Sequence, residues 1–203
     1  MYLFSLIGAP GSGKSSIGRK LAESEGVYHL SIGDHLRARR EAGDFDTQAE
    51  ILEALDHGRL LDNKVIVPLV VAEVQKYVEL GAIALFIDGF PRRVDQAQEF
   101  ETLHQRFDLV VCLACPEDVA KERYLGRRHP QRLGDNEELF DSRMREYLAQ
   151  RDFLKERYAG AGRWEEVVSI NNIKETLKAL LAAMDNWSFI IGLESSSIDR
   201  IRH

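Results

Sequence analysis

The chain opens on an apolar run, YLFSLI at residues 2–7, which passes straight into glycines and then into helical spacing of apolar residues over 15–25. Two more short apolar runs follow, ALFI at 84–87 and LVVCL at 109–113. Both are bounded by turn or charged residues, as strands buried on both faces of a parallel sheet should be. Residues 167–170 form a weaker fourth run. Between these runs, amphipathic periodicity predicts helices over 64–80, 93–105, 116–126, 136–158 and 173–185. Strands alternating with helices predict an α/β fold, three layers α/β/α around a central parallel sheet. Two segments interrupt the alternation. Residues 31–60 read as short helices crowded with charge, and RRHPQRLGD at 127–135 is polar with Pro and Gly. Both suit small lobes that move over a pocket. The end, WSFIIGLESSSIDRIRH at 187–203, lies outside the alternation. A main domain over 1–186 is therefore expected. The tail is either packed on the core, docked on another domain or subunit, or the start of a further domain.

A chain of 203 residues suits one compact domain with small insertions. The formal charge of −6 argues against a general nucleic-acid binder. No apolar run approaches the roughly 18 residues of a membrane helix, and the N-terminus lacks a basic leader, so a cytoplasmic monomer without a membrane partner is expected. Cys112 and Cys115 sit inside LVVCLAC with no second pair, which excludes a four-thiolate zinc site and reads as core thiols. Arginine supplies 19 of the 27 basic side chains, an excess that needs a cause.

Gly8-Ala9-Pro10-Gly11-Ser12-Gly13-Lys14-Ser15 matches G-x-x-x-x-G-K-[ST]. Gly11, Ser12 and Gly13 let backbone N–H groups turn towards phosphate oxygens, Lys14 reaches the β/γ-phosphates, and Ser15 or Ser16 lies near Mg²⁺. The plain alternative is a glycine turn with an accidental lysine, but the match follows a strand and precedes a helix. This is a P-loop for a nucleoside triphosphate. A GTPase would carry a guanine-reading N-K-x-D, which is absent.

The acceptor side is read from three further stretches: HLSIGDHLRARR at 29–40, DGFPRRVDQAQEF at 88–100 and KERYLGRRHPQRLGDNEELFDSRMREY at 121–147. In this order the chain resembles the adenylate kinases and their nucleoside monophosphate (NMP) kinase relatives over roughly residues 1–180. The resemblance implies a short lid over about 126–136 and an NMP-binding lobe over about 31–60. It implies Mg²⁺-dependent transfer from ATP to a nucleoside monophosphate, with no structural zinc. By it, Arg37, Arg59 and Arg92 hold the acceptor, Arg123 stacks on the donor adenine, and Arg127 assists. Arg132 and Arg143 grip the transferring phosphoryl group. Asp88, and less directly Asp34, orient Mg²⁺ through its water shell. Ile32, Leu61, Gly89, Phe90 and Gln96 surround the acceptor base. The plain reading of Asp34 is a helix N-cap. That of the arginines between 123 and 145 is a solvated helix face.

Gln96 stands where adenylate kinases hydrogen-bond the adenine of AMP, which favours AMP. Ile32 replaces a threonine of the S-T-G-D segment and pulls towards another base, a UMP/CMP-type kinase. Gly134 replaces one of two lid aspartates, Phe153 a proline, and Asn171-Asn172 lack the expected glycine. Two alternatives follow from these departures: a pyrimidine nucleoside monophosphate kinase, or a nucleotide-binding regulatory module without turnover. A small-metabolite kinase on the same fold leaves DGFPR followed by Gln96 unexplained.

Overall fold

A computed structural model describes residues 1–43, Ile51, Ala54, 59–127 and 135–190, the last five by backbone alone. Five strands form one fully parallel sheet: β1 Tyr2–Gly8, β2 Val27–Ser31, β3 Ala84–Asp88, β4 Leu109–Ala114 and β5 Trp164–Val168. Their order is β2-β3-β1-β4-β5, so β1 lies at the centre. The helices are α1 Lys14–Leu21, α2 Ile32–Glu41, α3 Asn63–Glu79, α4 Val94–Leu103, α5 Glu117–Leu125, α6 Glu137–Ala159 and α7 Ile173–Ile190.

The period of two in each strand divides the core into the two layers the pattern predicts. Leu3 and Ile7 of β1 join Leu85, Ile87 and Val110 beneath α2, α3, α4 and α6. Phe4 and Leu6 point the other way, with Phe86, Val111 and Leu113, under α1 and α7. Ser5 shares the Leu3 face and is buried, and its hydroxyl donates to the Phe90 carbonyl at 2.8 Å. Helix starts follow local capping chemistry. The side chains of Ser31, Asp62 and Asn136 accept from the Asp34, Lys64 and Leu139 N–H groups.

The elements differ from expectation in three places. β2 appears in none of the four apolar runs, because VYHLS alternates only weakly. It is nonetheless held by β3 from Val27↔Ala84 to Ser31↔Asp88. β5 starts three residues earlier than expected. Its exposed Glu166 reaches towards α6, paired with Lys155 at 2.7 Å and Arg151 at 3.4 Å, so charge occupies the solvent side of an edge strand. α7 runs on through Asn186 to Ile190, across the position where the sequence places the end of the main domain. Residues 191–203 lie outside the described part, as do 44–50 and 128–134, which belong to the two expected lobes. Among the described residues, no helix is long and apolar enough to cross a membrane.

Candidate active site

The strand ends of β1 and β3 open on a cleft of about 980 Å³ flanked by α1, α2, α5 and the start of α7. Its floor is the turn between Gly8 and Lys14. Gly11 has φ 89°, and a Cβ there would stand 2.0 Å from the Ala120 carbonyl oxygen. Gly13 is the N-cap of α1 in the left-handed conformation and supplies no side-chain cap, so the first-turn N–H groups are left for an anion. The Ser169 hydroxyl donates to the Ser12 carbonyl at 2.8 Å and pins this turn to the loop after β5.

Lys14 arches over the turn and donates to the carbonyls of Gly8 (2.9 Å) and Ala9 (2.8 Å) and to Ser12 Oγ (3.3 Å). Burial of the ammonium lowers its pKa to about 8; Asp88 opposes the shift, while Arg127 and Arg92 add to it.

Asp88 ends β3 and is buried. Ser15 Oγ donates to its Oδ2 at 2.5 Å, and His29 Nε2 stands 3.8 Å from the same oxygen, too far for a good hydrogen bond. Burial alone would raise the Asp88 pKa. The nearby His29, the Lys14 charge and the Ser15 hydroxyl outweigh it and hold the carboxyl below its ordinary range. A hydroxyl and an ionised carboxylate beside the phosphate turn are hard oxygen donors. They fit Mg²⁺, which keeps several waters and takes one or two protein carboxylates plus substrate phosphates. Ser16 lines the same cleft.

A second pocket of about 70 Å³ opens off the cleft between α2 and the β3–α4 loop. Ile32, Arg37, Arg59, Leu61, Gly89, Phe90, Arg92, Gln96 and Arg143 all line it, so these predicted acceptor residues are brought together. Ile32 and Leu61 are buried, forming an apolar wall. Gln96 is also buried, and its Oε1 accepts from the Arg92 N–H at 2.9 Å, which fixes the amide in the pocket. Arg92 and Arg143 line both cavities and mark where they join. Burial, then Arg143, pushes the Arg92 pKa down, although solvent reaches the outer edge of its guanidinium.

Other predicted residues have protein partners. Asp34 is not the cap of α2. Ser31 is, and Asp34 occupies the first turn, paired with Arg37. Arg123 donates to the carbonyls of Ser169, Ile170 and Asn171 at 2.9, 2.5 and 2.7 Å. It thereby shapes the loop where the expected glycine is missing. Phe153 points to solvent from α6 and does not line the cleft, so its departure from proline lies away from the site. Arg132 and Arg128 lie outside the described residues. Arg127 covers the Tyr124 ring at 4.8 Å and reaches Asp135 Oδ2 at 3.7 Å. Three contributors were given no role by the sequence reading: His29 behind Asp88, Ser169 behind the turn, and Tyr124 beneath the arginines.

The family model described as adenylate kinase matches residues 6–163. The chain is 32% identical over 190 residues to an adenylate kinase of Campylobacter lari, covering 91% of this chain and 95% of that one. It is 30% identical to an adenylate kinase of Hyphomonas neptunium, covering 88% and 96% respectively. To adenylate kinase isoenzyme 1 of Caenorhabditis elegans it is 28% identical, covering 90% and 87%.

Proposed function

The chain belongs to the adenylate kinase family and is a nucleotide phosphotransferase; within that family we propose that it moves the γ-phosphoryl of Mg-ATP to AMP, giving two ADP. The observation that carries this reading is the junction. Lys14 and the glycine turn line one cavity, Gln96 the other, and Arg92 with Arg143 line both. Two nucleotides laid in these cavities point their phosphates at each other.

Phosphoryl transfer requires alignment and charge neutralisation rather than covalent help from the protein. Lys14 holds the donor's terminal phosphates. Arg37 and Arg92 hold the acceptor phosphate, whose oxygen is already anionic, so no general base is needed. Arg143, with Arg132 from the lid, takes the charge that spreads over the moving group, because a guanidinium binds two oxygens at once. Asp88, Ser15 and Ser16 would hold Mg²⁺ here, and the ion would supply further neutralisation of the phosphates. Asp34, already paired with Arg37, steadies the acceptor arginine. Arg123 and the loop carbonyls it gathers form the donor-base wall. Gln96 reads the acceptor base through its amide, while Ile32, Leu61 and Phe90 enclose it. We place the enzyme in the cytoplasm, a reading supported by the two free cysteines.

An ADP-forming assay with Mg-ATP against AMP, dAMP, CMP, UMP, dCMP and GMP tests this. AMP, with dAMP next, should dominate. A second reading, a pyrimidine acceptor, rests on the buried Ile32 in the pocket wall, and it prevails if UMP or CMP gives the higher kcat/KM. Absence of transfer to every acceptor refutes both and leaves a nucleotide-binding module. Lys14→Met, which removes the phosphate-holding charge, should abolish any activity seen.

A further inference from the structure

Tyr124 was given no role by the sequence reading, yet its side chain meets three charged groups at the edge of the cleft. It is fully buried on α5, with its ring edge-on to Phe140 of α6 at 5.3 Å. Its hydroxyl donates to Asp135 Oδ1 at 2.8 Å and accepts from Arg143 Nη1 at 2.7 Å. The same Nη1 reaches Asp135 Oδ1 at 3.2 Å, closing a triangle. Above the ring lie the guanidiniums of Arg127, at 4.8 Å, and Arg143, at 5.7 Å. One phenol therefore touches one carboxylate and two cations.

We infer that Tyr124 is a positioning residue for phosphoryl transfer, its hydroxyl and Asp135 together holding Arg143 by one edge while its ring supports Arg127. The inference rests on the reading that Arg143 grips the transferring group. Among the described residues Arg143 is engaged through Nη1 alone, and it lines both substrate cavities, so its remaining N–H donors face the substrate oxygens. An arginine left to itself samples many rotamers, and two guanidiniums side by side repel. The carboxylate offsets the repulsion, and the hydroxyl, with its directed hydrogen bonds, decides which edge of Arg143 faces the protein. Among the described residues Asp135 Oδ2 accepts no hydrogen bond and faces Arg127 Nη1 at 3.7 Å, so the phenol's bond to Oδ1 sets the carboxylate's rotation. The hydroxyl is a constant donor: burial, together with Asp135, pushes its pKa up to about 12 although Arg143 pulls the other way.

Tyr124→Phe deletes the hydroxyl and keeps the ring. With both substrates saturating, kcat should fall about tenfold while both KM values stay within roughly twofold, because misplacing one charge acts on the transition state. The deciding comparison is an Arg143→Lys background, in which the edge to be held no longer exists. There Tyr124→Phe should change kcat by less than about twofold. Asp135→Asn should behave in the same way, and serves if Tyr124→Phe does not fold. A direct readout is the ¹⁵N spectrum of the Arg143 side chain. Hindered rotation about its Cζ–Nη bonds should be seen in the parent protein and lost in the variant. An unchanged kcat, or equal falls in both backgrounds, overturns the inference in favour of a merely structural tyrosine. If Arg143→Lys itself has parental activity, the reading of the site fails instead.

Discussion

The glycine turn allows a graded test, because three glycines differ in what a methyl group would meet. At Gly160, with φ −61°, an added Cβ meets nothing within 4 Å. At Gly13 the nearest atom is Ser169 Oγ at 3.7 Å, an ordinary contact, but φ is 94°. Gly11 combines φ 89° with a Cβ that would stand 2.0 Å from the Ala120 carbonyl oxygen. Ala substitution should therefore leave Gly160 stability near parental. At Gly13 it should cost about 1–2 kcal/mol for the left-handed backbone. At Gly11 the same strain applies, and the backbone must also yield by about 1.4 Å to restore van der Waals contact. Ala120 sits in α5, one turn before Arg123 and Tyr124, so the displacement is shared between the phosphate turn and the helix carrying these two side chains. A misplacement of that size costs about 100-fold in rate. In a chain of this length each kcal/mol lowers Tm by about 2–4 °C. Thermal unfolding, ATP titration and kcat/KM with AMP measured on all three variants check the series. If Gly11→Ala proved no worse than Gly13→Ala in both Tm and kcat/KM, the close approach to Ala120 would not be what requires the glycine.

Further outcomes follow from the same geometry. With its pKa lowered to about 8, Lys14 is about 90% protonated at pH 7 and about 25% at pH 8.5. ATP should restore the charge, taking up about 0.7 proton at pH 8.5 and about 0.1 at pH 7. Calorimetry in buffers of different ionisation enthalpy reads this, and equal uptake at the two pH values refutes it. The folded value lies below the unfolded one of 10.5, so this group costs stability below pH 8, and the cost disappears as pH rises from 8 to 10.5. Glu101→Ala should cost about 1.5–3 kcal/mol, the loss of hydrogen bonds to a charged group, seen as a lower urea midpoint. Its buried carboxylate accepts from Tyr158 OH at 2.9 Å and pairs with Arg157, clamping α4 to α6; an unchanged midpoint would refute the clamp. Gln96→Ala should raise KM for AMP about tenfold and leave KM for ATP unchanged, as loss of one base-reading amide does. A rise in both constants would indicate a general collapse of the β3–α4 loop.

The phosphate turn was legible because its chemistry is local: glycine spacing, a lysine and a following helix lie within eight consecutive residues. The strands at 2–7, 84–87 and 109–113 were legible because each is buried on both faces and so reads as an unbroken apolar run. β2 was not, since its identity comes from pairing with β3, more than fifty residues away in sequence. The start of β5 was hidden by Glu165 and Glu166, charges that an edge strand tolerates when Lys155 and Arg151 of α6 meet one of them.

Within the site, the sequence by itself determined the cast: a P-loop, an acidic strand end at Asp88, a glutamine at 96 and an excess of arginine. It also exposed the conflict between Gln96 and Ile32. Only the tertiary structure decided the arrangement. It joined the two cavities at Arg92 and Arg143 and gave Asp34 to Arg37 rather than to a helix cap. It also turned Arg123 onto the carbonyls of 169–171 and set Tyr124 beneath two guanidiniums. The reason is that a motif records bonds made along the chain, where neighbours are fixed by covalent geometry. Hydrogen bonds such as Tyr124 to Asp135 and Arg143 need α5 and α6 packed together, and that packing depends on shape and burial across the whole core.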